Sequence, residues 1–267
     1  MKMTVRLTES AVMLALATVL SLIPLAELPY GGSITACSML PLVVIAYRHG
    51  TKWGLFSGLV HGLLQMFLGM KNVMYFTTPL SIAAVIVLDY LLAFAVIGLA
   101  GVFRRVGKGQ TGAMVLGALV GSTLRYLLHV LAGATVWAGL SIPTEAALTY
   151  SFVYNLTYML PETLVLLLGV GFVSRVIDFR TPMLSRVSQA DGKIDGFAIG
   201  AALGAAVTLI ADVVLVFSRL QNADTGEFAI EGLASADWVT VGIVTVVGAV
   251  AVGALLIVRF VRRKHAR

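Results

Sequence analysis

Long apolar stretches are the feature that most constrains what this 267-residue chain can fold into. Hydrophobic residues make up 59% of the sequence and charged residues only 12%, whereas about a quarter of the residues of a soluble domain are charged. An uncharged segment of about twenty residues is long enough to cross a bilayer as a helix. The alternating pattern of an outer-membrane barrel is not seen. The sequence therefore predicts an all-α polytopic membrane protein, with eight apolar windows near residues 9–29, 36–47, 53–70, 80–102, 112–138, 147–174, 196–218 and 237–260.

The distribution of Lys and Arg predicts how these helices are oriented, because basic residues accumulate on cytoplasmic loops. With the N-terminus inside, the cytoplasmic segments hold 16 of the 19 basic residues; these segments are the N-terminus, the loops 47–53, 103–111 and 175–195, and the tail from Arg259. We therefore expect a multi-pass protein of the plasma membrane with both termini in the cytoplasm. The net charge of +6 reflects this topology, because basic clusters on one side of a membrane protein typically contact lipid headgroups. It does not indicate nucleic-acid binding.

A polar connection from Ser174 to Gly196 divides the chain. We expect a six-helix core at 1–180, a cytoplasmic linker at 181–195 and a two-helix transmembrane extension with a basic tail at 196–267. The extension contains one carboxyl group in mid-window, that of Asp212. A hydrogen bond to a neighbouring helix and a functional role are both open for it.

Several polar and aromatic residues lie inside the apolar windows of the core, where an ionisable group costs at least roughly 2.5–3.5 kcal/mol and normally serves a site. We predict that they line one ligand pocket; they are Asp89, Tyr90, Arg125, His129, Trp137, Tyr150 and Asn155. A carboxylate, several rings and an amide suit a small planar cationic or amine-bearing heteroaromatic ligand. Two alternatives are open: Asp89 forms a structural ion pair with Arg125, and Trp137 belongs to the aromatic belt at the membrane interface.

Helical spacing places some of these residues on common faces. Arg125 and His129 are four residues apart and share a face of the fifth helix. Asn155, Tyr158 and Glu162 follow the i, i+3, i+7 spacing on the sixth helix. One face of each helix is therefore expected to point toward the pocket.

Catalytic motifs are poorly represented. The segment 107–112 resembles a phosphate-binding loop but has no strand before it. Ser57-Gly58 lacks the first Gly of a rhomboid-type motif, and Asp89 has no paired Asp motif. The four His residues have no metal-ligand spacing, and Cys37 is the only cysteine. We therefore predict no catalytic residue, no metal site and no cofactor.

Small residues recur on two helix faces. Gly54, Gly58 and Gly62 lie in the third window, and Ala11 and Ala15 lie in the first. Small side chains let helix backbones approach closely in lipid. Packing within the chain explains both stripes, and for Ala11 and Ala15 a docking face for another membrane subunit is the second hypothesis.

Short motifs occur in a consistent order through the first six windows. They are Leu7–Ala11 with Ala15, Gly31–Ile34, Met39–Pro41, Arg48–Gly50, Gly54–Gly69, Asp89-Tyr90, Gly98–Gly101 with Phe103-Arg104, Arg125–Trp137, and Tyr150 with Asn155. In these motifs residues 1–180 resemble the thiamine-specific substrate-binding subunit (S-component) of energy-coupling-factor vitamin transporters. The resemblance implies a six-helix bundle with an outward-opening pocket that binds thiamine.

The resemblance also implies roles for single residues. The carboxylate at Asp89 would hold the aminopyrimidine of thiamine, although Asp89 is one methylene shorter than the Glu of some relatives. The remaining contacts would come from Tyr90, His129, Trp137, Tyr150 and Asn155. Tyr75 and Tyr30 are the nearest residues to two further aromatic positions of the family.

Partner subunits are implied as well. In the family an alanine motif, matching Ala11 and Ala15, docks on a transmembrane T-subunit that carries two ATPase subunits. ATP hydrolysis would then reside in the partners. The resemblance does not cover the helices at 196–260. Alternative functions are an S-component for a thiamine precursor or another vitamin, and a solitary transporter or sensor without ATPase partners.

Overall fold

The computed structural model describes residues 3–28, 31–106, 109–140, 144–187, 196–220 and 230–265. Each of the eight apolar windows corresponds to a helix within these ranges. The helices are α1 Met3–Ser21, α2 Leu40–His49, α3 Thr51–Leu68, α4 Pro79–Arg105, α5 Gln110–Thr135, α6 Ala147–Val176, α7 Gly196–Phe217 and α8 Trp238–His265. Two short hairpins accompany them, formed by β1 Pro24–Glu27 with β2 Ser33–Thr35 and by β3 Ile177–Asp178 with β4 Ser185–Arg186.

Among the described residues, six helices are long and apolar enough to cross a membrane, namely α1, α4, α5, α6, α7 and α8. α2 has ten residues and is therefore about 15 Å long, half of a typical hydrocarbon core. α3 carries the polar side chains of His61 and Gln65 within its 18 residues. The chain is thus an all-α polytopic membrane protein with six candidate spans.

α1 ends earlier than the apolar window at 9–29 suggests. The helix stops at Ser21, and the chain continues as β1, which pairs antiparallel with β2. Pro24 has no backbone N–H and therefore cannot continue a helical hydrogen-bond ladder. The expectation that the first helix extends toward residue 29 was wrong, because the hydropathy of a short apolar segment does not distinguish a helix from a strand.

α2 forms the centre of the core. Its residues from Pro41 to Tyr47 are all buried, and they pack with apolar side chains of α4, α5 and α6. A helix that is apolar on every side is stable only when it is enclosed. Gly50, with φ of 90°, ends α2 and turns the chain directly into α3, a backbone conformation that favours glycine.

The glycine stripe of α3 packs against α4. A Cβ atom at Gly58 would lie 2.5 Å from the Phe94 carbonyl oxygen, and one at Gly62 would lie 2.6 Å from the Tyr90 carbonyl oxygen. The two backbones therefore touch where the side chains are missing. Packing within the chain is confirmed for this stripe, in agreement with the role of small residues in membrane helices.

The chain divides into two compact units, Met1–Val187 and Ser188–Arg267. In the second unit α7 packs against α8, and the Thr245 hydroxyl donates a hydrogen bond to Asp212 Oδ2 at 2.8 Å. The mid-window carboxyl of Asp212 is therefore bonded to a neighbouring helix, which was one of its two expected roles.

Candidate functional site

Asp89 lies in a distorted part of α4. The segment Ile86–Leu92 has π-helical hydrogen bonding, with a three-residue α-helical segment after it and then a 3₁₀ segment from Val96 to Arg105. A π-helical turn holds an extra residue and is frequent at functional sites. The local backbone of α4 therefore differs from a regular helix at the residues that the sequence singled out.

The carboxylate of Asp89 is held by two side chains from α5 and the turn after it. Its Oδ1 atom lies 2.8 Å from His129 Nδ1, and its Oδ2 atom accepts a hydrogen bond of 2.7 Å from Trp137 Nε1. The side chains of Asp89 and His129 are 14% and 11% exposed. A carboxylate offers about four lone-pair directions, so two are left for a ligand.

The contact with Asp89 bears on the role of the His129 ring. An ionised carboxylate only accepts hydrogen bonds, so beside an ionised Asp89 the proton of a neutral His129 ring is on Nδ1. His129 Nε2 is buried and has no hydrogen-bond partner among the described residues. In the neutral ring this atom is an acceptor, and a donor group of a ligand would satisfy it.

Trp137 is an interior residue. It is 8% exposed, its indole N–H is bonded to Asp89, and its ring meets Phe76 edge to face at a centroid distance of 4.8 Å. Tyr75 lies next to it, at 6.2 Å between ring centroids. The alternative that Trp137 is a lipid-facing belt residue was wrong. Tyr75, one of the expected site residues, and its neighbour Phe76 both contact the Trp137 ring.

α6 contributes a hydrogen-bonded row. Asn155 Oδ1 accepts a bond of 2.8 Å from the Tyr158 hydroxyl, and its Nδ2 donates to the carbonyl oxygens of Ser151 (2.8 Å) and His129 (3.3 Å). The Tyr158 ring also lies 6.4 Å from the His129 ring. We call Asp89, His129, Trp137, Asn155 and Tyr158 the Asp89 cluster. Tyr150, one of the residues expected at the site, is buried near the start of the same helix.

Arg125 belongs to a different group of side chains. Its Nη1 atom lies 2.7 Å from Glu162 Oε2, and its guanidinium stacks over the Phe94 ring at 4.9 Å. Thr35 donates a hydrogen bond of 3.0 Å to the other oxygen of Glu162. We call Arg125, Glu162, Thr35 and Phe94 the Arg125 cluster. The alternative that Arg125 pairs with Asp89 was wrong, because each of the two charges has another buried partner.

The other expected site residues are placed as follows. Tyr90 ties α4 to the end of α3, since its hydroxyl donates to the Gly69 carbonyl oxygen at 3.1 Å. Tyr30 lies outside the described residues. Ala11 and Ala15 are exposed on α1.

Sequence reasoning missed Phe76 and the partner of Arg125. Phe76 is 5% exposed although it precedes the start of α4, and a loop position gives no periodic signal. The i, i+3, i+7 spacing places Glu162 on the inward face of α6, but this spacing does not indicate which residue Glu162 pairs with. Within the described ranges, no group of three or more His, Cys, Asp or Glu side chains is arranged to hold a metal ion.

The geometry defines a helical membrane protein with a polar site built inside it from α4, α5 and α6. The chain belongs to the thiamine transporter protein family (Thia_YuaJ), whose model matches residues 7–178. The resemblance found in the sequence motifs is therefore confirmed, and so is the prediction of a transporter rather than an enzyme. α7 and α8 lie outside the matched residues.

Individual relatives agree with the family assignment. The thiamine transporter ThiT of Bacillus subtilis is 34% identical over 175 residues, which are 61% of this chain and 87% of the relative. ThiT of Lacticaseibacillus paracasei is 26% identical over 190 residues, covering 66% of this chain and 89% of the relative. The solved structure of ThiT from Listeria monocytogenes has 29% identity and a TM-score of 0.52, covering 64% of this chain and 94% of that chain.

Proposed function

We propose that this chain binds thiamine at the Asp89 cluster and serves as the substrate-binding subunit of an energy-coupling-factor transporter. The observation that carries the proposal is the Asp89 carboxylate. It belongs to an apolar helix and is held between the His129 and Trp137 side chains. A buried carboxylate that keeps free lone pairs is suited to an amidine-like hydrogen-bonding edge. The aminopyrimidine of thiamine has such an edge.

The aromatic side chains suit the second ring of the ligand, the thiazolium. The thiazolium ring of thiamine is cationic, and a cation over an aromatic face gains about 0.5–2 kcal/mol. Rings of Trp137, Tyr75 and Phe76 lie together beside Asp89. We infer that these rings enclose the ligand, with Tyr150, Asn155 and the buried Nε2 of His129 completing its contacts.

Titration of purified protein with thiamine, followed by tryptophan fluorescence, tests the site. The chain has three tryptophans, of which Trp137 lies in the Asp89 cluster, Trp53 donates to Ser10, and Trp238 lies in the second unit. We expect saturable quenching that shrinks strongly in Trp137→Phe and persists in the matched control Trp238→Phe. Equal quenching in both variants, or none in wild type, would contradict thiamine binding beside Trp137.

Competition experiments separate thiamine from related ligands. The pyrimidine precursor has the hydrogen-bonding edge but lacks the thiazolium cation, so it should displace labelled thiamine only at higher concentration if the ring contacts contribute as proposed. Thiamine phosphates test whether the site accepts added negative charge near Asp89. Displacement by the precursor at equal concentration would favour an S-component for that precursor.

The T-subunit and the two ATPase subunits of an energy-coupling module are the proposed partners. Ala11 and Ala15 are exposed on α1, a helix with few buried residues, and a small-residue face permits close helix contact. We expect Ala11→Trp and Ala15→Trp to abolish ATP-dependent uptake in cells while thiamine binding is kept. Leu16→Trp is the control, because this exposed residue lies about 140° around the helix from Ala11. Uptake that survives both Ala variants would favour a solitary transporter or sensor.

The proposed membrane topology has a six-helix core, two further spans and both termini in the cytoplasm. The basic loops support it, since Arg104 and Arg105 end α4 and Arg175 lies in the last turn of α6. In a Cys37→Ser background, an impermeant thiol reagent applied to intact cells should label Leu140→Cys and not Arg105→Cys. The reverse pattern would overturn the orientation.

A further inference from the structure

A second polar site lies at the other end of the first unit. A cavity of about 240 Å³ is lined by Arg6, Arg48, Arg104 and Arg180, with His49 and the segment 179–182. Gln110, the first residue of α5, accepts the Phe179 backbone N–H at 2.8 Å, whereas Trp137 follows the end of that helix. α5 has 26 residues and is therefore about 39 Å long. The arginine cavity is thus separate from the Asp89 cluster.

Two of the four arginines are already engaged. Arg48 forms two hydrogen bonds with Glu9 (2.9 and 2.7 Å) and donates to the carbonyl oxygens of Phe179 and Thr181 at 3.1 and 3.2 Å. Arg180 binds both oxygens of Asp178. These contacts fix the wall of the cavity and use both of the carboxylates that lie beside it.

The other two arginines supply uncompensated charge. Within the described part of the chain, no carboxylate forms an ion pair with Arg6 or Arg104. The Nε atom of Arg6 is buried and lacks a hydrogen-bond partner, and its guanidinium lies 5.3 Å from the centre of the Trp53 ring. A buried donor without an acceptor is costly. Arg6 and Arg104 therefore leave positive charge at the cavity that an anion would balance.

We propose that the arginine cavity binds a phosphate group, presented by the headgroup of an anionic lipid or by a soluble phosphate. A guanidinium offers a planar fork of donors that matches phosphate oxygens. The cavity is bordered by the first turn of α1 and the last residues of α2 and α4, where lipid headgroups meet a membrane protein. Basic pockets between membrane helices bind acidic lipid headgroups.

Thermal shift titrations of the full chain in detergent test the proposal with three probes: phosphatidylglycerol, phosphatidylcholine and inorganic phosphate. We expect a saturable rise in Tm with phosphatidylglycerol or phosphate, and a much weaker rise with zwitterionic phosphatidylcholine. Stabilisation by phosphatidylglycerol alone identifies the lipid headgroup as the source. Stabilisation by inorganic phosphate at lower concentration than the lipid identifies a soluble phosphate. No saturable response to either probe overturns the proposal.

Matched variants locate the binding. Arg6→Gln/Arg104→Gln should raise the apparent Kd of the effective probe at least tenfold, while Arg105→Gln/Arg175→Gln, with the same change of charge but outside the cavity lining, should change it less than twofold. Unchanged thiamine titration in both variants checks the fold. If the double variant does not fold, Arg104→Gln alone, at an exposed position, should raise the Kd at least threefold. Equal loss in the control pair, or no loss in the cavity variants, overturns the assignment.

Discussion

The Asp89 cluster and the Arg125 cluster are two buried polar groups on the same helices, and they differ in how completely their charges are matched. His129 and Arg125 lie one turn apart on α5, and Asn155 and Glu162 lie two turns apart on α6. Arg125 meets a full opposite charge at 2.7 Å, whereas Asp89 meets two ring N–H groups. Both carboxylate oxygens of Glu162 are occupied within the chain, although Arg125 Nε is buried without a hydrogen-bond partner among the described residues. Asp89 keeps lone pairs that suit a ligand.

The largest expected effect comes from breaking the closed pair. Glu162→Leu leaves the Arg125 guanidinium buried without its carboxylate, and we expect it to lower the free energy of unfolding by about 3–5 kcal/mol. Arg125→Met/Glu162→Leu removes both charges and should recover most of that loss. Thermal unfolding in detergent measures both.

The double variant also tests whether Arg125 contacts the ligand. A structural pair predicts a thiamine Kd within about threefold of wild type, which is less than 1 kcal/mol. A double variant that is as unstable as Glu162→Leu, or that has lost thiamine binding, would remove the distinction between the two clusters.

The next effect concerns the open cluster. Asp89→Asn keeps the shape of the side chain but replaces the carboxylate, so we expect thiamine affinity to fall by about 1.5–3 kcal/mol, the range for hydrogen bonds to a charged group. Its effect on thermal stability should be smaller than that of Glu162→Leu. Calorimetric titration with thiamine gives the affinity, and an unchanged Kd would assign Asp89 a structural role.

Tyr158→Phe should have a smaller effect that is divided between stability and binding. The substitution removes the 2.8 Å hydrogen bond to Asn155 and leaves the aromatic packing, so a loss of about 0.5–1.5 kcal/mol in stability is expected. Thiamine affinity should fall by less than in Asp89→Asn, because the Asn155 amide is still held by Ser151. A larger loss of affinity than in Asp89→Asn would make Tyr158 the main anchor.

The smallest effect is expected at Asp212, a half-buried carboxyl of the second unit. Asp212→Asn keeps an oxygen that accepts the Thr245 hydroxyl, so thermal stability should change by no more than about 0.5 kcal/mol, as for most substitutions that break no buried network. Thiamine affinity should be unchanged by titration. A tenfold change in Kd would show that the unit outside the family match takes part in binding.

Local pattern was enough to predict most of the architecture. Apolar windows indicated every main helix, and the spacing of Asn155, Tyr158 and Glu162 indicated the inward face of α6, where all three are buried. The free-energy cost of placing polar side chains in a bilayer was enough to select Asp89, His129 and Trp137 as candidates. The structure brings these three side chains together. The helix positions, the inward face of α6 and the candidate site residues each depend on a short stretch of sequence and on the apolar bilayer around it.

Pairing between helices could not be predicted in the same way. The sequence analysis considered Asp89 as the partner of Arg125, whereas the structure pairs Arg125 with Glu162. Which carboxylate is the partner depends on how α5 packs against α4 and α6. The π-helical segment around Asp89 depends equally on tertiary packing. Phe76 lies in a loop, where burial is decided by the neighbouring Trp137 rather than by periodicity.

The contacts of Arg48 have a consequence for chain entropy and cooperativity. One guanidinium holds Glu9 in the first helix and the carbonyl oxygens of Phe179 and Thr181 beyond the last helix of the family-matched region. This side chain links two segments that are far apart in the sequence, and bringing distant segments together carries a loop-closure entropy cost that these contacts offset. Loss of the Arg48 guanidinium would therefore remove an anchor of α1 and an anchor of the segment after α6 at the same time.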